Sequence, residues 1–176
     1  CIALADKTIT LTFAGDVTLG GEERLMNEPT SFAALYEKNG PEYFLKNFAD
    51  FFAEDDLTVI NLEGVLSDQN LSPREAGKLG SYFFKGKTEY VNVLTAASVE
   101  AASIANNHTY DYGETGLRDT IAALEGAGVE WFGTRARHTT DTERFFFYEK
   151  DGVTICLMSL YWDDYLQGQQ DGCGAF

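Results

Sequence analysis

Asp16, Glu63, Asn107 and His108 are the residues of this 176-residue sequence whose types suit metal-assisted chemistry. Each stands where an apolar stretch gives way to polar sequence: Gly15-Asp16, Asn61-Leu62-Glu63-Gly64, and Asn106-Asn107-His108 with Asp111 three residues on. Carboxylate, amide oxygen and imidazole are ligand types for divalent Mn, Zn, Fe or Mg. A glycine beside a ligand lets the backbone come close. Taken singly, each motif is weak. An Asp after a strand serves as well in a turn or as a helix cap, Glu63 reads equally as a solvated carboxylate, and Asp111 as a cap for the helix that follows. His108 is the sharper signal, because an imidazole beside two amides at a strand end has few packing reasons. Tyr110 and Tyr112 read as packing residues. His138, the second histidine, lies in a polar stretch (Arg135, Ala136, Arg137, Thr139) and reads as surface.

The elements that must position these groups follow from hydrophobic period and breakers. Residues 8–14 alternate and are β-branched, which predicts a strand, ending in a loop at Gly15-Asp16 and Gly20-Gly21. Residues 31–38 and 42–52 carry apolar groups at helical spacing, and Pro41 suits a helix start. Residues 57–62 form a short apolar run of the buried, parallel-sheet kind. Residues 68–80 are polar, with Pro73 and two glycines, and read as a loop. A short strand at 81–85, a helix at 89–97 and a strand at 99–105 follow. Residues 114–125 read as a helix stopped by Gly126 and Gly128, and 129–132 as the next strand. Strands at 144–149 and 153–160 flank Lys150-Asp151-Gly152, an Asp-Gly hairpin signal. Strands alternating with helices predict a layered α/β domain. In such sheets ligands bind outside the carboxyl ends of the strands. If the three polar strand ends are neighbours, Asp16, Glu63, Asn107 and His108 meet in one crevice.

Composition narrows the function classes. The chain is 44% hydrophobic and 14% aromatic, enough for one folded core. Thirteen basic against 28 acidic residues give a net charge of −15, which argues against nucleic acid as a partner, since phosphate binding needs a basic face. The turn after the first strand is not G-x-G-x-x-G, which disfavours a nucleotide-binding Rossmann domain. Cys1, Cys156 and Cys173 are too few and too scattered for a disulfide framework, and Cys156, in an apolar run, reads as a buried core thiol. No run of about 18 apolar residues is present. Ala3-Leu4-Ala5 before Asp6 reads as a signal-peptide cleavage site, Cys1 alternatively as the lipid-bearing residue of a lipoprotein, or residues 1–7 as a linker. Either of the first two readings places the protein at the cell surface or outside the cell.

Taken together the motifs resemble a family. Phe13-Ala14-Gly15-Asp16-Val17-Thr18-Leu19-Gly20 is similar to the opening motif of CapA-type bacterial capsule proteins, the poly-γ-glutamate biosynthesis (PgsA) family of the calcineurin-like metallophosphatase superfamily. Asn61-Leu62-Glu63-Gly64, Phe84-Lys85-Gly86, Ala105-Asn106-Asn107-His108, Asp111-Tyr112-Gly113, Gly116-Leu117, Asp119-Thr120, Leu124-Glu125-Gly126-Ala127-Gly128 and Gly133 continue in that family's order and spacing. The resemblance covers roughly residues 8–162, with 163–176 left as a glycine-rich tail.

The resemblance implies a metallophosphatase-like α/β sandwich with a site for up to two divalent ions. Asp16 would ligate the first, Glu63 would take the bridging acidic position, Asn107 would ligate the second, and His108 would act as acid or electrostatic stabiliser. Asp111 would at most orient His108. Two features depart from the wider superfamily. The first motif reads Asp16-Val17-Thr18 rather than Asp-x-His, and the later His-Trp-Gly and Gly-His-x-His motifs are absent. The sequence thus reads as the N-terminal part of such a domain. A truncated gene, a clipped protein or a remainder on another chain would each explain this, and a sheet edge left bare would invite self-association. Three functions are consistent with the resemblance: a phosphoesterase-like hydrolase acting on a phosphate ester or anionic capsule polymer, an amide hydrolase acting on the γ-glutamyl polymer, and a non-catalytic member of a capsule assembly or export complex alongside membrane proteins.

Overall fold

The computed structural model describes residues 8–74, 81–133, 145–159 and 161. Its centre is a four-stranded, all-parallel sheet in the order β1 (Leu11–Val17), β2 (Leu57–Leu62), β5 (Ala101–Ser103), β6 (Glu130–Phe132). Two-residue strands β3 (Val65–Leu66) and β4 (Lys85–Gly86) pair in parallel beside it. Strands β7 (Phe145–Lys150) and β8 (Val153–Met158) form an antiparallel hairpin. The helices are α1 (Phe32–Asn39), α2 (Glu42–Leu45), α3 (Ala49–Ala53), α4 (Asn92–Thr95) and α5 (Gly113–Ala127).

Period-two alternation divides the sheet into two faces. Ile60, Leu62, Ala102 and Ile104 point to the helices, where they meet Leu94, Leu117 and Leu124. Leu57, Val59, Ala101 and Phe132 point the other way, onto Phe146, Tyr148 and Leu157 of the hairpin. The result is a three-layer sandwich of helices, parallel sheet and hairpin. Burying each of these leucines stabilises the fold by about 1.5–3 kcal/mol. Residue 61 falls on the hairpin side, so a polar side chain there faces the gap between sheet and hairpin.

Local chemistry sets the element ends. The Ser31 hydroxyl caps α1 by accepting from Ala34 N at 3.2 Å. Gly128, at φ 74°, ends α5. Asp151 and Gly152 take φ of 54° and 80°, the two left-handed positions that close a tight hairpin. The hairpin is clipped to the sheet through Asp56. Tyr148 Oη donates to its carbonyl at 2.7 Å, Lys150 Nζ pairs with its carboxylate, and that carboxylate also accepts from Thr10 N at 2.7 Å.

Several sequence expectations shift. The first strand runs to Val17 rather than stopping at residue 14, with a register irregularity between Phe13 and Asp16, so Asp16 sits within the strand. The predicted 42–52 helix is two short ones, broken at residues 46–48. The 89–97 helix is a 3-10 turn (Thr88–Val91) followed by α4. Of the predicted 81–85 strand only Lys85 is in a strand, as the first residue of β4, while 99–105 shortens to β5. Cys156 is exposed, not a buried core thiol. The reason is that β8 is amphipathic: Ile155 and Leu157 turn inward, so residue 156 turns out. Asp111 does not cap α5, whose N-cap residue Tyr112 makes no side-chain cap bond. Of the 68–80 loop, residues 68–74 carry neither helix nor strand, as expected, while 75–80 lie outside the described residues together with 1–7, His138 and the 163–176 tail.

Candidate functional site

The carboxyl ends of β1, β2 and β5 are neighbours because those three strands are adjacent and parallel. Asp16 comes from β1, Glu63 from just beyond β2, and Asn107 and His108 from the turn after β5. Asp16, Glu63 and Asn107 line one open cleft of about 660 Å³, together with Asn61 and Asn106. Phe13 and Met158 line the same cleft and add apolar surface to it.

A chain of amides ties the three strand ends together. Asn61 Nδ2 donates to Asp16 Oδ1 at 2.7 Å. Asn106 Nδ2 donates to Asn61 Oδ1 at 3.0 Å and to Leu62 O at 2.9 Å. Asn106 Oδ1 in turn accepts from His108 N at 3.0 Å. Asn106 therefore spends its whole side chain on position rather than on a ligand. Thr109 Oγ1 bonds Ile104 O and Asn106 O at 2.5 and 2.9 Å, fixing the turn.

His108 is buried behind the cleft wall, with its ring 4.4 Å from that of Phe84. Asp111, 1% exposed, accepts on Oδ2 from His108 Nδ1 at 2.7 Å and from Phe84 N at 2.8 Å. With Asp111 ionised, that contact places the proton on Nδ1 and aims Nε2 outward. Nε2 lies 3.6 Å from Glu63 Oε1. Asp111 Oδ1 is buried with no partner among the described residues. Next to it, burial holds the Tyr112 phenol far above its ordinary value, so it is a neutral group. The glycines differ in need. A Cβ on Gly64, at φ 129°, would crowd Phe84 Cβ at 3.1 Å, whereas Gly15 has open space.

Sequence reasoning named Asp16, Glu63, Asn107, His108 and Asp111, and the structure brings all five to one end of the sheet. It missed Asn61 and Asn106 as the amides that join the strand ends. A polar residue inside the apolar run of 57–62 was the available signal for Asn61. It also missed Arg74, which no local pattern marks. Arg74 N donates to Asp111 O at 2.8 Å, and Arg74 Nη2 to Asn107 O at 3.1 Å.

Two carboxylates and an amide on one cleft make an all-oxygen donor set, which fits a hard divalent ion such as Mg²⁺ or Mn²⁺. Among the described residues no three of His, Cys, Asp and Glu stand together as a metal-holding group. Asp16, Glu63 and Asn107 supply oxygen atoms of the kind such an ion takes.

Fold and site together define the class: a layered α/β domain whose parallel strands present carboxylate and amide side chains and an oriented histidine at their carboxyl ends. The chain belongs to the bacterial capsule synthesis protein family PGA_cap, whose model matches residues 10–173. It is 24% identical over 154 residues to the capsule biosynthesis protein CapA of Bacillus anthracis, covering 87% of this chain and 34% of that protein. A probable polyglutamine synthesis accessory protein of Mycobacterium tuberculosis is 29% identical over 153 positions, covering 73% of this chain and 39% of its own length. The PGA biosynthesis protein CapA of Bacillus subtilis is 24% identical over 155 positions, covering 88% and 37% respectively. The chain thus spans a little over a third of the length of the relatives it matches.

Proposed function

We propose that this chain contributes the first part of a cation-dependent hydrolytic site that serves the building of a cell-surface polymer. The observation that carries this reading is the convergence of Asp16, Glu63 and Asn107 on one cleft, with His108 held against Glu63. Asp16, Glu63 and Asn107 would hold the ion. Bound there, a divalent ion would supply Lewis-acid polarisation and an activated water. The remaining work falls to the chain's own groups. Asp111 keeps the proton on Nδ1 of His108, so Nε2 is the atom available to exchange a proton with Glu63 or with a leaving group. The amide chain through Asn61 and Asn106 fixes the spacing of the strand ends, which limits the reorganisation required on substrate binding. Family membership and the relatives' names support a role in the synthesis of a capsule polymer; action on that polymer or on a phosphate-ester precursor is part of the same reading.

A second reading, a non-catalytic member of a capsule assembly complex, is favoured by one observation: the described donors form only part of a metal shell. Turnover separates the two. With Mn²⁺, the protein as the cell makes it is expected to hydrolyse p-nitrophenyl phosphate or a γ-glutamyl oligomer. His108→Ala is expected to lower kcat by about 10²–10⁴. Turnover of neither substrate, or equal turnover in His108→Ala, would overturn the hydrolytic reading in favour of the second.

A further inference from the structure

We infer that Arg74 is the anion-recognition residue of this cleft, and that the group it takes is an oxyanion of the substrate, a phosphate or a carboxylate. The inference rests on the cleft being the substrate site, as proposed above. It starts from a difficulty. The cleft presents the carboxylates of Asp16 and Glu63 in a chain of net charge −15, so an anionic substrate meets like charge at close range. A divalent ion held there would offset part of that repulsion, and a fixed cation beside the cleft would offset more.

Most basic side chains that the structure describes already face a carboxylate. Arg24 pairs with Glu22, Lys85 with Glu23, Lys87 with Glu89, Arg118 with Glu114 and Lys150 with Asp56. Arg74 differs in its anchor: its guanidinium is docked on a neutral backbone carbonyl, that of Asn107, at 3.1 Å. That residue's side chain lines the cleft.

Arg74 is also fixed in advance. Its own N–H donates to Asp111 O at 2.8 Å, so it grips the 107–111 turn at both ends, backbone to one end and side chain to the other. Holding an arginine in place before the ligand arrives removes much of the ordering cost of using it. A guanidinium carries five N–H donors in a planar fork that matches the two oxygens of a carboxylate or phosphate. One goes to Asn107 O, and Arg74 is exposed, standing next to the cleft lining rather than in it.

Calorimetric titration tests this with two probes, inorganic phosphate and a γ-glutamyl oligomer, each with and without Mn²⁺. Wild type is compared with Arg74→Gln and Arg74→Lys, and Mn²⁺ affinity is read in the same samples. Arg74→Gln is expected to weaken at least one probe about tenfold or more. Arg74→Lys, which keeps the charge and loses the fork, should fall between. Mn²⁺ affinity should be unchanged in both. Loss for phosphate alone assigns a phosphoryl substrate; loss for the oligomer alone assigns a carboxylate. Binding of neither probe by wild type, or binding untouched by Arg74→Gln, overturns the inference. So does a parallel loss of Mn²⁺ affinity in both variants, which would make Arg74 a clamp on the turn and nothing more. If wild type binds no Mn²⁺ yet loses phosphate in Arg74→Gln, the hydrolytic reading falls and this one stands.

Discussion

Asp111 satisfies two donors with one oxygen, and this gives it the largest expected effect of any single polar residue at the site. Removing its carboxylate leaves the Phe84 N–H and the His108 ring without their acceptor in a buried place. Asp111→Ala is therefore expected to cost about 2–3 kcal/mol, read as a fall in thermal midpoint of roughly 4–12 °C. Glu100 is expected to behave in the opposite sense. Burial is the largest influence on it and raises its pKa above the ordinary 4.5. A carboxylate with a raised folded pKa contributes stability below its unfolded value, and that contribution is lost as pH rises through the folded one. At pH 7 Glu100→Gln should therefore raise the melting temperature, since the amide oxygen still accepts from Thr58 N, and the gain should shrink toward pH 4. Residue types alone made the ligand candidates legible. They could not show that Asn106 is structural, because an asparagine that bridges strands and one that binds a ligand look alike in sequence. Nor could they mark Arg74, whose role depends on a turn more than thirty residues away in the chain.

At the scale of elements, the small contacts between strands carry as much information as the helices. β4 passes so close to the loop after β1 that a Cβ on Gly86 would meet Leu19 O at 1.9 Å. Gly86→Ala must push the two backbones apart, and an expected loss of more than 2 kcal/mol should appear as a lower urea midpoint. The hairpin is held more softly, through Asp56. The hydrogen bond from Lys150, and after it that from Thr10 N, lowers the Asp56 pKa below 3.8. Its contribution is present above that value and is lost as pH falls through the lower folded one. Proton exchange in β7 and β8 should therefore speed up below about pH 4, and Asp56→Asn should abolish that step. The buried strand at 57–62, the capped helix α1 and the Asp-Gly hairpin were all legible, because each depends on a local signal. The broken helices were not. Residues 42–52 and 89–97 have helical spacing, but they curve over the core in single turns, and that curvature is set by tertiary packing.

For the whole molecule, the balance of charge and apolar surface matters most. Phe13, Phe147 and Met158 are 61%, 58% and 52% exposed, on a chain that carries fifteen net negative charges. Like charge keeps copies apart at low salt, and screening removes that protection. Sedimentation is expected to show association that grows between about 0.05 and 0.5 M salt. Phe147→Lys combined with Met158→Lys should suppress it. Function turns on whether the carboxyl ends of β1, β2 and β5 form one cation site. Anomalous diffraction at the manganese edge, from crystals grown with Mn²⁺, measures that directly. A peak is expected about 2–2.5 Å from oxygens of Asp16, Glu63 and Asn107, and none in Asp16→Ala crystals. A peak elsewhere, for instance at Asp68 and Asp119, or none at all, would contradict it.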